Sequence, residues 1–190
     1  STLPVTTYND VNCTHIYSAP GTYILSISGT CETFYVNNSG TIMSTITSVL
    51  NWGNVGIKKL SFYGCDNLIS YHLDNQRGLT LLIDFDNTFR NCISLTGITT
   101  LFEKCPNITS FNSTFKGTNI TEVPILYDDN IGEYSIFNYC SNVIDFTSTF
   151  EDCTSLTSIY ELTFQYCTGV TSFANTFAGC TLLPTIPINL

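Results

Sequence analysis

The chain has 190 residues, 43% of them apolar and 11% charged, enough to bury one sizeable core and too little for two. Six Lys plus Arg stand against 15 Asp plus Glu, a net charge of −9, so there is no basic stripe to neutralise nucleic-acid phosphates or an anionic membrane surface. The longest apolar runs, such as Leu79-Thr80-Leu81-Leu82-Ile83, fall far short of the roughly 20 residues a membrane helix needs, so no membrane insertion is expected.

The chain opens Ser1-Thr2-Leu3 with no Met, no basic segment and no apolar run, so any signal peptide is expected to have been removed or to lie outside this numbering. Residues 1–57 show alternation: Tyr23, Leu25 and Ile27 against Ile24, Ser26 and Ser28, then Phe34-Tyr35-Val36 before the turn signal Asn37-Asn38-Ser39-Gly40. This predicts a few antiparallel strands forming a β-rich cap over the first repeat. Ile42, Ile46, Val49 and Leu50 have helical spacing and predict a short helix ending near Gly53.

From Phe62 onward a unit Phe-x-x-Cys-x-x-apolar-x-x-apolar recurs seven times: Phe62/Cys65, Phe89/Cys92, Phe102/Cys105, Phe137/Cys140, Phe150/Cys153, Phe164/Cys167 and Phe177/Cys180. An eighth, degenerate copy runs from Phe115 through Thr118 and Ile120 to Val123. The copies alternate in kind. One kind is preceded by a small polar pair ending in Thr (Asn87-Thr88, Ser113-Thr114, Ser148-Thr149, Asn175-Thr176) and closes on Ile or Val; the other lacks the pair and closes on Phe. The first kind begins at Phe62, Phe89, Phe115, Phe150 and Phe177 and the second at Phe102, Phe137 and Phe164. Each series contains one interval longer than the rest by eight or nine positions, so a single insertion within 121–134 explains both. The period is about 26 to 27 residues, made of two half-units of about 13. That length, with an apolar position every third residue, predicts a β-rich solenoid of leucine-rich-repeat-like coils over residues 58–190. A helical repeat of similar length is disfavoured, because Thr, Ile, Val, Phe and Tyr dominate where Ala, Leu, Glu and Lys would be needed.

These residues resemble a known family. Phe150-Glu-Asp-Cys-Thr-Ser-Leu-Thr-Ser-Ile159 and Phe177-Ala-Gly-Cys-Thr-Leu-Leu-Pro-Thr-Ile186 are similar to the repeats of BspA-type leucine-rich-repeat surface proteins, and Asn51-Trp52-Gly53-Asn54 leading into Phe62-Tyr-Gly-Cys65 is similar to the junction such proteins often carry. The resemblance covers roughly residues 20–190. It implies a cell-surface, extracellular or virion-surface location and a role in adhesion or recognition, and it supplies no catalytic residue. The sequence departs from the pattern in the 121–134 insertion, in the missing half-unit after Tyr71, and in ending without a cap.

Seven of the nine Cys lie on the repeat grid, where they read as small buried hydrophobes rather than as disulfides. Cys13 and Cys31, off the grid, are the pair that would form a disulfide. With no Cys-x-x-Cys and only His15 and His72, a zinc site is not expected, and His72 near Asp66 and Asp74 lacks any nucleophile-elbow motif, so no enzymatic activity and no cofactor are expected. Asp84-Phe-Asp86, Asp128-Asp129 and Glu151-Asp152 do not match a Ca²⁺ loop and read as solvated turns. Five glycosylation sequons occur, at Asn12, Asn37, Asn107, Asn112 and Asn119, about as many as chance gives in so Asn- and Thr-rich a chain.

Two functions fit. In the first, the protein is a recognition module whose insertion, with Tyr127 and Tyr134 as anchors beside Asp128 and Asp129, contacts a protein or glycan on another surface. In the second, it is a subunit of an extracellular fibre or virion appendage that self-associates end to end through its uncapped last repeat at Ile186, Ile188 and Leu190.

Overall fold

The computed structural model describes residues 18–26, 28–36, 43–52, 54–71, 79–98, 102, 105–130 and 132–186. Eight strands occur among them: β1 Thr33–Tyr35, β2 Ser48–Val49, β3 Lys59–Ser61, β4 Ser70–Tyr71, β5 Glu122–Val123, β6 Ile125–Asp128, β7 Gly132–Ser135 and β8 Ser158–Ile159. They pair two by two, β1–β3, β2–β4 and β5–β8 in parallel and β6–β7 antiparallel. Helix among the described residues is limited to short 3₁₀ turns, such as Met43–Thr45. None there is long and apolar enough to cross a membrane.

The expected β-rich solenoid is therefore corrected. There is almost no helix, and the short strands form four separate two-stranded sheets, none of which forms a solenoid. The physical reason is the period of three. In each grid copy the Cys N–H donates to the carbonyl of the Phe three positions before it, and the next apolar residue donates to that Cys: Cys153 to Phe150 at 3.1 Å and Leu156 to Cys153 at 3.0 Å. Successive turns satisfy the backbone locally, and little of each copy is left to pair as strand.

Two expectations for residues 1–57 also change. Phe34 does not join an antiparallel cap: β1 pairs in parallel with β3, a repeat length further along the chain (Phe34↔Leu60), and its ring lies 5.7 Å from Phe62. The helix expected over 42–50 is replaced by the 3₁₀ turn and by β2, which pairs with β4.

The core consists of aromatic columns. Phe62, Phe89, Phe115, Phe150 and Phe177 stack at 5.6–6.0 Å with ring planes within 18° of parallel. Phe102, Phe137 and Phe164 form a second column, and Phe111, Phe146 and Phe173 a third, at 5.5–5.7 Å. These two interlock edge to face, with centroids 4.7–5.1 Å apart. Each such pair adds about 0.5–1.5 kcal/mol to the burial of the rings.

Polar atoms inside the core are tied to backbone carbonyls of neighbouring copies. The Thr of the polar pair donates its hydroxyl inward, Thr88 to Leu60 at 3.1 Å, Thr114 to Phe85 at 2.9 Å and Thr149 to Phe111 at 2.9 Å. The Cys thiols do the same, Cys92 to Phe62 and Cys153 to Phe115 at 3.1 Å and Cys180 to Phe150 at 3.0 Å. This explains why Cys and not Ala recurs: the position needs a small apolar body with a donor. Thr118 fills the same place once and lies 3.4 Å from the Cys153 sulfur.

The residue before each of these Thr has φ near +55°, at Asn87, Ser113, Ser148 and Asn175, and the second residue after each Phe of the first column is again left-handed, at Gly64, Asn91, Gly117, Asp152 and Gly179. Small polar residues and Gly recur there because other side chains strain in that region. Between the two bends the Phe N–H donates across to the next copy, Phe115 to Thr149 and Phe150 to Thr176 at 2.9 Å.

Candidate functional site

The β6–β7 hairpin is the only antiparallel element among the described residues, and it occupies the segment expected to carry the insertion. Its register sets Leu126 opposite Tyr134 and Tyr127 opposite Glu133. Alternation then sends the two pairs to opposite faces. Leu126 packs against the core and Tyr134 is 7% exposed, while Tyr127 is 72% exposed and Ile125 stands out beside it. Of the two expected anchors, Tyr134 is thus corrected to a core residue, and Tyr127 alone is presented. Asp129 is exposed in the turn that Gly132 closes at φ +78°; of Asp128, the backbone in β6 is described.

Further tyrosines that the sequence reading passed over are at least partly exposed. Tyr139 and Tyr166, each following a second-kind Phe at the same offset, are exposed on consecutive copies. The Tyr160 phenol is pushed above its ordinary pKa by partial burial, and then by the carboxylates of Glu133 and Glu161 and by Tyr166. No Lys or Arg occurs after Lys116, and eight Asp and Glu do, whereas the chain up to Lys116 holds seven acids and six bases. That asymmetry was readable in the sequence. Lys116, the last cation, is engaged by Glu151 at 2.7 Å.

A second concave region is largely satisfied from within, the buried Arg90 Nε–H being left without an acceptor. An open cleft of about 520 Å³ is lined by Tyr35, Ser61, Tyr63, Asp84, Asp86 and Arg90. Lys59 pairs with Asp84 at 3.0 Å, and Arg90 lies 5.5 Å from the Tyr63 ring centre with one N–H donated to Asn87 at 3.1 Å. Burial pushes the Asp86 carboxyl up, against the hydrogen bonds it accepts from Ser110 at 2.6 Å and the Asn112 N–H at 3.0 Å. These groups brace neighbouring copies. A third space, of about 10 Å³ among Trp52, Leu60, Tyr71 and Phe89, holds at most one water.

The remaining expected sites separate. Asn107 and Asn119 are exposed, but each donates its amide to a main-chain carbonyl of an earlier copy, Thr80 at 3.0 Å and Ile93 at 2.7 Å. Asn67 and Asn142, which are not in sequons, do likewise, so Asn has a structural reason to recur there. Asn112 is half-buried beside Asp145, and the Thr114 of its sequon is buried. Asn12 and Asn37 lie outside the described residues, as do Cys13, Ile188, Leu190, His15 and His72. Cys31 is a free thiol that donates to the Thr33 carbonyl at 3.4 Å, and Ile186 is half exposed.

The grid thiols are free and buried. Burial pushes Cys92, Cys105, Cys153 and Cys167 up to about 12 and Cys65 to about 11, so they stay protonated and are poor nucleophiles at neutral pH. Among the described residues no group of three His, Cys, Asp or Glu is placed to hold a metal. No family model, curated protein or solved structure matches the chain.

Proposed function

We propose that the protein is a non-enzymatic recognition module of an extracellular, cell or virion surface, in which the aromatic-columned body is a rigid support and the β6–β7 hairpin is the contact element. The observation that carries this reading is Tyr127, a large amphipathic side chain 72% exposed on a short hairpin whose opposite face is anchored to the core through Leu126. An exposed aromatic on a rigid element loses little entropy on binding, and such residues concentrate binding energy. The likeness of the repeats to BspA-type surface proteins points the same way.

The test is a binding panel of defined immobilised matrix proteins and glycans, read by biolayer interferometry with the intact chain and with Tyr127→Ala. A partner bound by the intact chain and weakened at least about fivefold by the substitution is the expected result. A partner bound equally well by both would remove the hairpin from the contact.

A further inference from the structure

We propose that the open cleft of about 520 Å³ formed by β1, β3 and the 84–90 segment binds a neutral carbohydrate. The site shares no residue with the hairpin and does not depend on the reading above. Its volume falls within the roughly 300–1,000 Å³ of small-molecule sites. The backbone register builds it. Tyr35 of β1 stands beside Ser61 of β3, and the bridge from Lys59 to Asp84 carries the same register, two positions on, from Ser61 to Asp86. Adjacent strands lie about 4.8 Å apart, so Tyr35, Ser61 and Asp86 make one row about 10 Å long across three copies. Tyr63, Asn87 and Arg90 line the cleft with them. Arg90 already lies 5.5 Å from the Tyr63 ring centre, whereas Tyr35 is 53% exposed and offers its ring to a ligand. The C–H face of a pyranose is weakly positive and packs on the negative face of an aromatic ring.

The bonds that brace the cleft use only part of what its side chains can make. Asp86 accepts from Ser110 and from the Asn112 N–H through Oδ1, and its Oδ2 accepts from no described residue. Asn87 accepts from Arg90 through Oδ1, which leaves its amide N–H groups to donate, and Ser61 Oγ accepts the Tyr63 N–H, which leaves its own hydroxyl proton. Arg90 gives one N–H to Asn87, and its Nε–H has no acceptor. Open donors and an open acceptor within one cleft match neighbouring sugar hydroxyls, each of which both donates and accepts. The braces also fix these side chains before a ligand arrives, so little rotamer freedom is lost on binding. Charge selects the class of ligand. Lys59 neutralises Asp84 at 3.0 Å, and what remains is one carboxylate, Asp86, and one guanidinium, Arg90, a balance that favours neither an anion nor a cation.

The test uses the full chain and isothermal titration calorimetry with cellotriose, maltotriose, mannotriose, chitotriose and lactose, each to about 10 mM, and with sialyllactose as the acidic counterpart of lactose. At least one neutral sugar is expected to bind, with an affinity that stays the same between about 50 and 300 mM salt. For that sugar Tyr35→Ala should weaken binding at least about tenfold, Tyr35→Phe, which keeps the ring, less than about twofold, and Asp86→Asn about three- to tenfold. Tyr127→Ala in the hairpin should leave it unchanged. The inference is overturned if none of the neutral sugars binds, if sialyllactose binds more tightly than lactose, or if Tyr35→Ala has no effect. It is also overturned if Tyr127→Ala weakens binding as much as Tyr35→Ala does, which would place the sugar at the hairpin. Circular dichroism and urea midpoints of the two Tyr35 variants, expected little changed because that side chain is exposed, exclude unfolding as the cause.

Discussion

From Phe137 to Cys180 the buried side chains meet their own equivalents from neighbouring copies, ring on ring, while in the β6–β7 hairpin a single pair of strands buries Leu126 and Tyr134 on one face and leaves Ile125, Tyr127 and Glu133 exposed on the other. In the first region each residue is constrained from before and after, and a change at one position is felt in three copies. In the second, Tyr127 has no equivalent elsewhere in the chain, and its replacement disturbs no column. The difference shows where variation is tolerated: a change in a column is transmitted to neighbouring copies, and a change at exposed Tyr127 is not.

Alkaline titration should break the repeat body most completely. The grid thiols have folded pKa values raised above their unfolded values, so the stability they contribute is fully present below the unfolded thiol pKa, near 9, and is lost as pH rises toward about 12. Each fully linked thiol costs about 1.4 kcal/mol per pH unit in that window, and several act together. Urea midpoints measured from pH 7 to 11 should fall steeply above pH 9, and less steeply in Cys92→Ala; a flat profile would mean that the thiols are not buried as the columns require.

Next in size is Phe146→Ala, which removes a fully buried ring stacked on Phe111 and Phe173 and edge-on to Phe137 and Phe164. Chemical denaturation should show a loss of about 3–5 kcal/mol. Gly179→Ala should cost about 1–2 kcal/mol, because φ is +77° and the added Cβ would meet the Asp152 backbone at 3.2 Å and its carboxylate oxygen at 2.5 Å. Smallest is excision of residues 125–133, which makes the spacing from Phe115 to Phe150 equal to that from Phe89 to Phe115. The shortened chain should unfold cooperatively with a loss of about 1 kcal/mol, and collapse of its urea transition would show that the hairpin is part of the body.

Legibility in the sequence followed the same division. Inward positions could be read because Phe, Cys and Leu are costly anywhere else, and Phe89, Cys92, Leu95 and Ile98 are all buried as their spacing implies. The insertion was visible as a break in the period. The backbone was not, because left-handed bends at Asn87 and Asn91 and three-residue turns leave a polar signature that also reads as strand and loop. Phe34-Tyr35-Val36 carried a true strand signal, but its partner lies a full repeat away, and nothing local says whether the pairing is parallel. Tyr127 and Tyr134 are indistinguishable by type; only the register separates them.

The bond pattern between copies has a consequence for how such a chain can change length. Within the Phe62 to Phe177 series, Phe62, Phe89, Phe115 and Phe150 each donate their N–H to the Thr preceding the next Phe. A duplicated unit spliced between any two of them would find a donor on one side and an acceptor on the other already in place, and its ring would extend the stack. Growth by copying is therefore nearly free of misfit, whereas the hairpin, borrowed from no neighbour, would be carried along once and kept at a fixed distance from whichever end did not grow.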